Sequence, residues 1–183
     1  MRTHTGTGLI HPARLLERLG VTEGHHVADI GCGSLGHFVF PSAKRVGADG
    51  RVYAVDIQRR ALDVIRRAAK EEQLFNIETI WGDADRIGGI RLNEGSVDVA
   101  LITNTLSSSR RPLDLVKEVA RITREHGIAL VVDWKLHASA IGPSVEHRVS
   151  DTTAQEWFGG GAFELEDSFE AGPYHYALIF RRI

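Results

Sequence analysis

The sequence predicts an α/β fold, a parallel sheet with helices on both faces, and two observations carry this prediction. Two apolar runs, residues 27–30 and 52–55, contain or adjoin an acidic residue, which is typical of buried parallel strands that end at a ligand site. The segment between them combines a glycine-containing loop with helical periodicity. The alternation of strand-like and helix-like segments continues over most of the 183 residues, as expected of a doubly wound sheet.

Several further segments have the periodicity of regular elements. In residues 58–73, Leu62 and Ile65 begin an apolar stripe at helical spacing, so this segment predicts an amphipathic helix. Asp151 is expected to cap the helix that closes the series. Helices are predicted at 11–19, 38–46, 58–73 and 151–158. Alternating apolar residues joined by Ala-Gly-Pro predict a terminal β-hairpin with strands at 163–169 and 174–180.

A glycine loop follows the first predicted strand. Gly31, Gly33 and Gly36 allow sharp turns and the close approach of a ligand that any Cβ would exclude. Asp56, at the end of the second predicted strand, can accept hydrogen bonds from the two vicinal hydroxyls of a ribose. The pattern therefore predicts a pocket for a nucleoside cofactor.

The spacing of this loop leaves two classes of nucleoside cofactor open. The loop fits G-x-G-x-x-G, and Asp56 follows Gly36 by 20 residues, which satisfies the fingerprint of an NAD site. Asp29 favours the other class, because a carboxylate beside this turn would repel a pyrophosphate. The same carboxylate would attract a cofactor that carries a cationic amino group and a sulfonium.

Residues 27–56 resemble motif I of the class I S-adenosylmethionine-dependent methyltransferases, in which two apolar residues precede (D/E)-x-G-x-G. The resemblance implies S-adenosylmethionine as the methyl donor and S-adenosylhomocysteine as the product. It implies that Asp29 lies near the methionine moiety and that Asp56 holds the ribose. It also implies a Rossmann-like seven-stranded sheet whose last strand is antiparallel, with helices on both faces.

The resemblance extends to the third and fourth strands of that fold. Residues 77–85 look like the third strand followed by the family's G-D-A signature. The family implies that Asp83 receives the adenine amino group and that the backbone near Ala84 lines the base. Residues 97–104 look like the fourth strand, whose end at Asn104 passes beside the methyl-transfer centre.

The carboxyl-terminal third carries the rest of the resemblance. Residues 112–127, which contain Glu118 and Arg121, resemble the family's E-x-x-R helix, and residues 128–134 then supply the fifth strand. The closing segments are similar to those of small ubiquinone-biosynthesis-type methyltransferases, namely 142–150 and 172–182. The matches cover nearly the whole chain, so we expect one class I methyltransferase domain over residues 1–183.

The predicted cofactor site consists of residues at the ends of the first four strands, namely Asp29, Gly31, Cys32, Gly33, Asp56, Ile57, Asp83, Ala84 and Asn104. No catalytic residue is identified by the pattern. The sulfonium methyl group is already activated, so its transfer requires close approach, alignment and exclusion of water more than it requires a reactive side chain. Three residues are candidates for proximity to the transfer point, namely Asn104, His137 and His147.

Several acceptor classes are disfavoured by missing residues. The (D/N)-P-P-(Y/F) motif of amino-directed base methyltransferases is replaced by Asn104-Thr105-Leu106-Ser107, which removes the platform that stacks a flipped base. Thiol-based chemistry needs more cysteines than the single Cys32. A metal-dependent catechol-type site needs acids at the ends of two strands, and only Asp133 is near such a position, so no metal is expected. A small-molecule acceptor, methylated at O, N or C, remains.

Composition indicates a cytoplasmic enzyme. The net charge of −2 gives no general attraction to nucleic acid. The sequence has no run of about 18 apolar residues, so it does not predict a membrane span. One cysteine and the lack of a secretory leader suit a reducing compartment.

Only about ten residues precede the first helix, so a cover for the substrate has to come from residues 1–10 as a flexible lid, the 107–111 loop, the 136–150 loop or a second subunit. The last option is the reason to consider a homodimer.

Three other functions stay open on the sequence. An RNA or protein methyltransferase would need a basic face, which the arginines of the 58–73 helix and Arg110-Arg111 could form if they converge. A non-catalytic S-adenosylmethionine-binding or scaffold protein would keep Asp56 and Asp83 but lack a pocket open to an acceptor. A short NAD-binding domain is disfavoured by Asp29 and by the terminal hairpin.

Overall fold

A seven-stranded sheet forms the centre of the protein in a computed structural model that describes residues 10–137, 139 and 141–183. The strands follow the order β3-β2-β1-β4-β5-β7-β6 across the sheet. Their bounds are β1 His26–Ile30, β2 Arg51–Asp56, β3 Ile77–Trp81, β4 Val97–Thr103, β5 Thr123–Trp134, β6 Phe163–Glu170 and β7 His175–Arg182. The helices are α1 Pro12–Arg18, α2 Val39–Val46, α3 Arg59–Glu71, α4 Pro112–Ile122 and α5 Asp151–Phe158.

The pairing of the strands confirms the predicted architecture. Strands β1 to β5 are parallel to one another, whereas β7 is antiparallel to both β5 and β6. The carboxyl ends of β1 to β4 therefore meet at one edge of the sheet. The loops that carry the predicted site residues all leave from this edge, which brings residues that are distant in sequence close together.

The two faces of the sheet are covered by different helices. On one face, Ala28 and Ile30 of β1 pack in a cluster with Leu115 of α4 and Phe158 of α5. On the other face, Val27 joins a second cluster that includes residues of α1, α2 and α3. Successive side chains of a strand point to opposite faces, so β1 contributes to both clusters, and its residues from Val27 to Ile30 are all buried.

The boundary between α4 and β5 differs from the sequence prediction. The helix expected over 112–127 ends at Ile122, and β5 begins at Thr123 rather than at residue 128. The β-branched Thr123 pairs with Val97 in the neighbouring strand, and its hydroxyl donates to the carbonyl oxygen of Val119 at 2.7 Å. The chain then bends at His126, whose φ is 60°, before the ladder resumes at Ile128. Pairing with β4 thus replaces the last turn of the predicted helix.

The N-cap of α5 also differs from the sequence prediction, which placed it at Asp151. The helix begins at Asp151, but its N-cap is Ser150, whose hydroxyl oxygen accepts a hydrogen bond from the amide of Thr153 at 2.9 Å. Both residue types cap helices well, and the sequence alone did not distinguish adjacent candidates.

An ion pair inside the protein joins α4 to the loop after β3. Glu118 is fully buried, and its carboxylate accepts hydrogen bonds from the amides of Gly88 at 2.7 Å and Ile90 at 2.8 Å, and from the guanidinium of Arg121. Arg121 also donates to the carbonyl oxygens of Leu92 and Ile90. Burial alone would raise the pKa of Glu118, but these donors lower it below its usual value. The E-x-x-R signature therefore fixes a loop that leads to the site.

Replacement of Glu118 by Ala should destabilise the protein strongly. The change leaves two buried amides without an acceptor and Arg121 without its carboxylate, and breaking a buried pair costs about 3–5 kcal/mol. The free energy of unfolding, measured with urea, should fall by that amount, while Glu71→Ala at an exposed position of α3 should change it by less than about 0.5 kcal/mol. A similar small loss in both variants would contradict the structural role of the pair.

Candidate active site

The glycine loop is attached to the end of β2. The carbonyl oxygen of Val55 accepts hydrogen bonds from the amides of Gly31 at 2.8 Å and Cys32 at 3.1 Å. The carboxylate of Asp56 accepts one from the amide of Gly33 at 2.9 Å and one from the amide of Gln58 at 2.8 Å. Asp56 is only 6% exposed, yet a carboxylate can accept about four hydrogen bonds, so acceptor capacity remains for a ligand.

The three glycines of the loop have different roles. All three have positive φ angles, between 56° and 76°. A Cβ at Gly36 would lie 2.5 Å from Cδ1 of Ile65, so this glycine allows the loop to pack against α3. A Cβ at Gly33 would meet no heavy atom within 4 Å, although Gly33 lines a cavity. The φ of 61° at Gly33 by itself favours glycine, and the space beside this residue is open to a ligand.

A large cavity lies over the carboxyl ends of the strands. Its volume is about 1030 Å³, at the upper end of the range for small-molecule sites. The lining includes Asp56, the 56% exposed Ile57, Asp83 and Ala84, which follow β2 and β3. The indole nitrogen of Trp81 donates to the carbonyl oxygen of Ile57 at 2.8 Å and so ties the end of β3 to the chain after β2.

One wall of the large cavity is formed by the loops after β3 and β4, which are joined by hydrogen bonds that we call the Asp85 bridge. The carboxylate of Asp85 accepts hydrogen bonds from the hydroxyl of Ser109 at 2.5 Å and from the amide of Arg110 at 2.8 Å. Since β3 and β4 are separated by two strands in the sheet, these bonds connect loops that leave from non-adjacent strands. Residues 108–111 line the cavity as well, so the 107–111 loop is part of its cover.

A second, smaller cavity of about 140 Å³ lies on the other side of the glycine loop. Gly31 and Asn104 line both cavities, so the two meet at these residues. The other residues of its lining come from the start of the described chain, the end of β1, the loop before α2 and the end of β4, namely Ile10, Pro12, Asp29, Cys32, His37, Phe38 and Thr103.

Asn104 has an unusual backbone and an unused acceptor. Its φ is 55°, a left-handed conformation that a non-glycine residue adopts at some cost, and its amide donates to the carbonyl oxygen of Val132 at 2.8 Å. The side-chain Oδ1 is buried and has no hydrogen-bond partner among the described residues. Strain and an unsatisfied acceptor at the junction of two cavities point to a ligand contact.

Asp29 is a buried acid beside the smaller cavity. It is 3% exposed, and burial, followed by the charge of Asp56, raises its pKa to about 7. No side-chain hydrogen bond to its carboxylate occurs within residues 10–137, 139 and 141–183. A cationic ligand group in this cavity would compensate the buried charge, whereas a pyrophosphate would add to it.

The structure brings together all nine residues predicted to bind the cofactor. Each lines the larger cavity, the smaller one or both. Of the three candidates for proximity to the transfer point, Asn104 lies at the junction. His137 and His147 are exposed and line neither cavity. The ring of His147 instead contacts the hydroxyl of Ser144 at 2.7 Å.

Two further segments of this chain were predicted as sources of a cover, residues 1–10 and the 136–150 loop. Residues 1–9 lie outside the described part of the chain, and Ile10 lines the smaller cavity. The 136–150 loop is organised by buried Arg148, which donates to the carbonyl oxygens of Lys135, His137, Ile141 and Pro143. None of the described residues of this loop lines either cavity.

Sequence reasoning missed His37 and the bridge through Asp85. His37 follows the glycine loop, and its Nε2 atom is buried and unpartnered beside the smaller cavity. Because burial lowers its pKa, the ring is predominantly neutral at pH 7. A polar residue directly after a glycine loop was a usable signal for His37, but nothing local links Asp85 to Ser109.

Two further structural features concern metal binding and membrane spanning. Within the described residues, no group of three or more His, Cys, Asp or Glu side chains is arranged to hold a metal ion. Across the same part of the chain, every helix is too short or too polar to cross a bilayer.

Fold and site together define the class of protein: a doubly wound α/β protein with a nucleoside-sized cavity at the carboxyl edge of its sheet. A family model described as "Methyltransferase domain" matches residues 21–166. The chain belongs to this methyltransferase domain family, which confirms the resemblance seen in the sequence motifs.

Individual relatives agree with this assignment. The chain is 28% identical over 121 residues to a demethylmenaquinone methyltransferase of Lactococcus lactis, covering 66% of this chain and 46% of that protein. It is 32% identical over 113 residues to an aklanonic acid methyltransferase of a Streptomyces species, covering 60% and 51%. The chain thus spans about half the length of these curated relatives. A solved SAM-dependent methyltransferase from Aquifex aeolicus has the same fold, with a TM-score of 0.89, 23% identity and coverage of 98% and 94%.

Replacement of Asp29 by Asn should make the free protein more stable at high pH. The pKa of Asp29 is near 3.8 when the chain is unfolded and about 7 when it is folded, so the folded state binds the proton more tightly. Stability from this group is therefore lost as pH rises from about 4 to about 7. At pH 8, Asn should raise the free energy of unfolding by on the order of 3 kcal/mol.

Urea unfolding at pH 4, 6 and 8 measures this effect as a difference between the two proteins, in which Asp133 and other acids cancel. The difference should be small at pH 4 and grow toward pH 8. Asp49→Asn, at an exposed turn before β2, serves as the control and should show no such trend. A difference that is the same at all three pH values would mean that Asp29 is not charged in a buried site.

Proposed function

We propose that the protein is an S-adenosylmethionine-dependent methyltransferase that acts on a small-molecule acceptor by in-line transfer. The observation that carries the proposal is that all nine residues predicted from the family motifs line two cavities that meet at Gly31 and Asn104. The residues fit such a donor on structural grounds as well. Gly33 leaves space where a Cβ would stand, Asn104 offers an unused acceptor, and Asp29 supplies a buried negative charge.

The donor would be held in two parts. In the larger cavity, Asp56 accepts hydrogen bonds from the ribose hydroxyls with the acceptor capacity left after its two backbone contacts. Ile57 and Ala84 flank the adenine, and Asp83 accepts from its amino group. The methionine part extends past Gly31 toward the smaller cavity, where Asp29 attracts positive charge. Gly31 and Asn104, where the two cavities meet, would hold the part of the donor that carries the reacting sulfur.

The chain contributes mainly position and electrostatics to the reaction. S-adenosylmethionine supplies a methyl group that its cationic sulfur already activates. An electron pair of the acceptor, a lone pair on O or N or the electron pair of a nucleophilic carbon, would form the new bond to the methyl carbon as the carbon–sulfur bond breaks. The electron pair of the broken bond would return to sulfur, and any proton on the acceptor atom would pass to solvent. Asn104, held in its strained conformation, aligns the reacting groups, and the bridge from Asp85 to Ser109 limits access of water.

A small acceptor is supported by the space and by the relatives. A cavity of about 1030 Å³ can hold a nucleoside cofactor and part of a second molecule. The two curated relatives are named for small molecules, demethylmenaquinone and aklanonic acid. Location in the cytoplasm and a homodimer are further parts of the proposal that rest on the sequence considerations alone.

Calorimetry with three cofactors tests the proposal directly. S-adenosylmethionine and S-adenosylhomocysteine should bind with micromolar dissociation constants, and NAD should not bind. Asp56→Ala should weaken both S-adenosyl ligands by about 1.5–3 kcal/mol, the value of a hydrogen bond to a charged group. Asp49→Ala is the matched control, since this acid is exposed and far from both cavity linings.

The outcomes separate the competing functions. NAD binding alone would favour a nucleotide-binding protein of another kind. Binding of the S-adenosyl ligands without consumption of the donor by any small acceptor would favour the non-catalytic alternative. Because Asp56 also binds two backbone amides, circular dichroism of Asp56→Ala has to show a folded protein before its affinity is interpreted.

The charge of Asp29 should distinguish donor from product. S-adenosylmethionine carries a sulfonium charge that S-adenosylhomocysteine lacks, so Asp29→Asn should weaken the donor several-fold more than the product at pH 8. In the wild type, this preference for the donor should decline as the pH falls below about 7, where Asp29 takes up a proton. Equal losses for the two ligands at pH 8 would remove the electrostatic role of Asp29.

A further inference from the structure

The smaller cavity is lined by several buried polar atoms that have no hydrogen-bond partner. Nε2 of His37, Oγ1 of Thr103 and Oδ1 of Asn104 are all buried and have no partner among the described residues. These three residues line the cavity together with Asp29. Buried polar groups without partners are costly, so three of them beside one small cavity indicate a ligand that provides both donors and acceptors.

The polar groups of this cavity are separated by element and by chemistry. On the strand ends, the carboxylate of Asp29 and Oδ1 of Asn104 are acceptors, and the unpartnered hydroxyl of Thr103 can accept or donate. His37 lies on the other element, directly before α2, and a ring nitrogen can donate. Helix α2 has no acidic residue in its first turn and no side-chain cap, so its amino end adds a favourable field for an anion beside His37.

Size restricts the occupant further. A volume of about 140 Å³ is too small for a quinone or polyketide and suits an amino-acid head group. The arrangement, with acceptors on the strand ends and a donor at the start of α2, matches a zwitterion whose ammonium faces Asp29 and Asn104 and whose carboxylate faces the helix. Neither the sequence motifs nor the relatives assign a role to His37.

We propose that His37 is a positioning residue whose Nε2–H donates a hydrogen bond to the α-carboxylate of the bound methyl donor. This inference rests on the proposed function, because it takes S-adenosylmethionine as the ligand. The contact holds the methionine chain on the α2 side of the cavity and thereby fixes the direction in which the sulfur presents its methyl group.

Three ligands that differ in their amino-acid head group test the contact between His37 and the carboxylate by calorimetry. S-adenosylhomocysteine has both head-group charges, S-adenosyl-3-thiopropylamine lacks only the carboxylate, and 5′-methylthioadenosine lacks the whole head group. His37→Phe should weaken S-adenosylhomocysteine about 10- to 100-fold, the range for one hydrogen bond to a charged group. The same variant should change the affinities of the other two ligands less than about two-fold.

Two further variants serve as controls for the proposed role of His37. His37→Gln keeps an N–H donor and should recover part of the lost affinity for S-adenosylhomocysteine. His25→Gln is the matched control, because His25 also has a buried, unpartnered ring nitrogen but lies before β1, at the opposite edge of the sheet. It should leave all three affinities unchanged, and thermal unfolding should show that every variant is folded.

Other results would overturn the assignment. Equal losses for S-adenosylhomocysteine and the thiopropylamine ligand would mean that His37 contacts the ammonium or only fills space. Unchanged affinity for all ligands would remove His37 from the donor site altogether. If the wild type binds none of the three ligands, the proposed function itself fails, whereas binding of S-adenosylhomocysteine that is unchanged in His37→Phe refutes only this contact.

Discussion

The site depends on the attachment of the glycine loop to the end of β2. Consecutive amides of the loop, from Gly31 to Gly33, donate to the carbonyl oxygen of Val55 and to the carboxylate of Asp56. These bonds fix where the chain turns back from β1, and therefore where α2 begins and where His37 lies. They also leave Asp56 in place with unused acceptor capacity. One short set of hydrogen bonds thus positions both halves of the proposed donor site.

Two buried acids show how the protein separates structural from functional charge. Glu118 receives hydrogen bonds from two amides and from Arg121, and its pKa is lowered below the usual value. Asp29 is buried to a similar degree, receives no such side-chain or amide donor from the described residues, and has a pKa raised to about 7. An acid with its donors in place stabilises the fold, whereas a buried carboxylate without them costs stability until a ligand supplies a compensating charge. This contrast is the physical reason for the proposal that Asp29 takes part in binding.

Much of this arrangement could be predicted from sequence because it follows from strand ends. Asp29, Asp56 and Asn104 each end or follow an apolar run, and parallel strands bring such residues to one edge of the sheet whatever the details of packing. Residues that depend on contacts between distant segments were not predictable. The bridge from Asp85 to Ser109 joins loops 24 positions apart, and the end of α4 was set by pairing of Thr123 with β4. Local propensity carries no information about either contact.

The difference between strand ends and loops also indicates which residues can determine specificity for the acceptor. The donor side of the cavities is built from residues at the ends of β1 to β4, which the sheet itself holds in place. The remaining wall of the larger cavity comes from residues 108–111 and from Asp85 and Arg86, and Asp85 joins these two segments. Loops tolerate substitution better than strand ends, so acceptor preference can change there while the donor site is preserved. This explains physically how one family fold serves relatives with different small-molecule names.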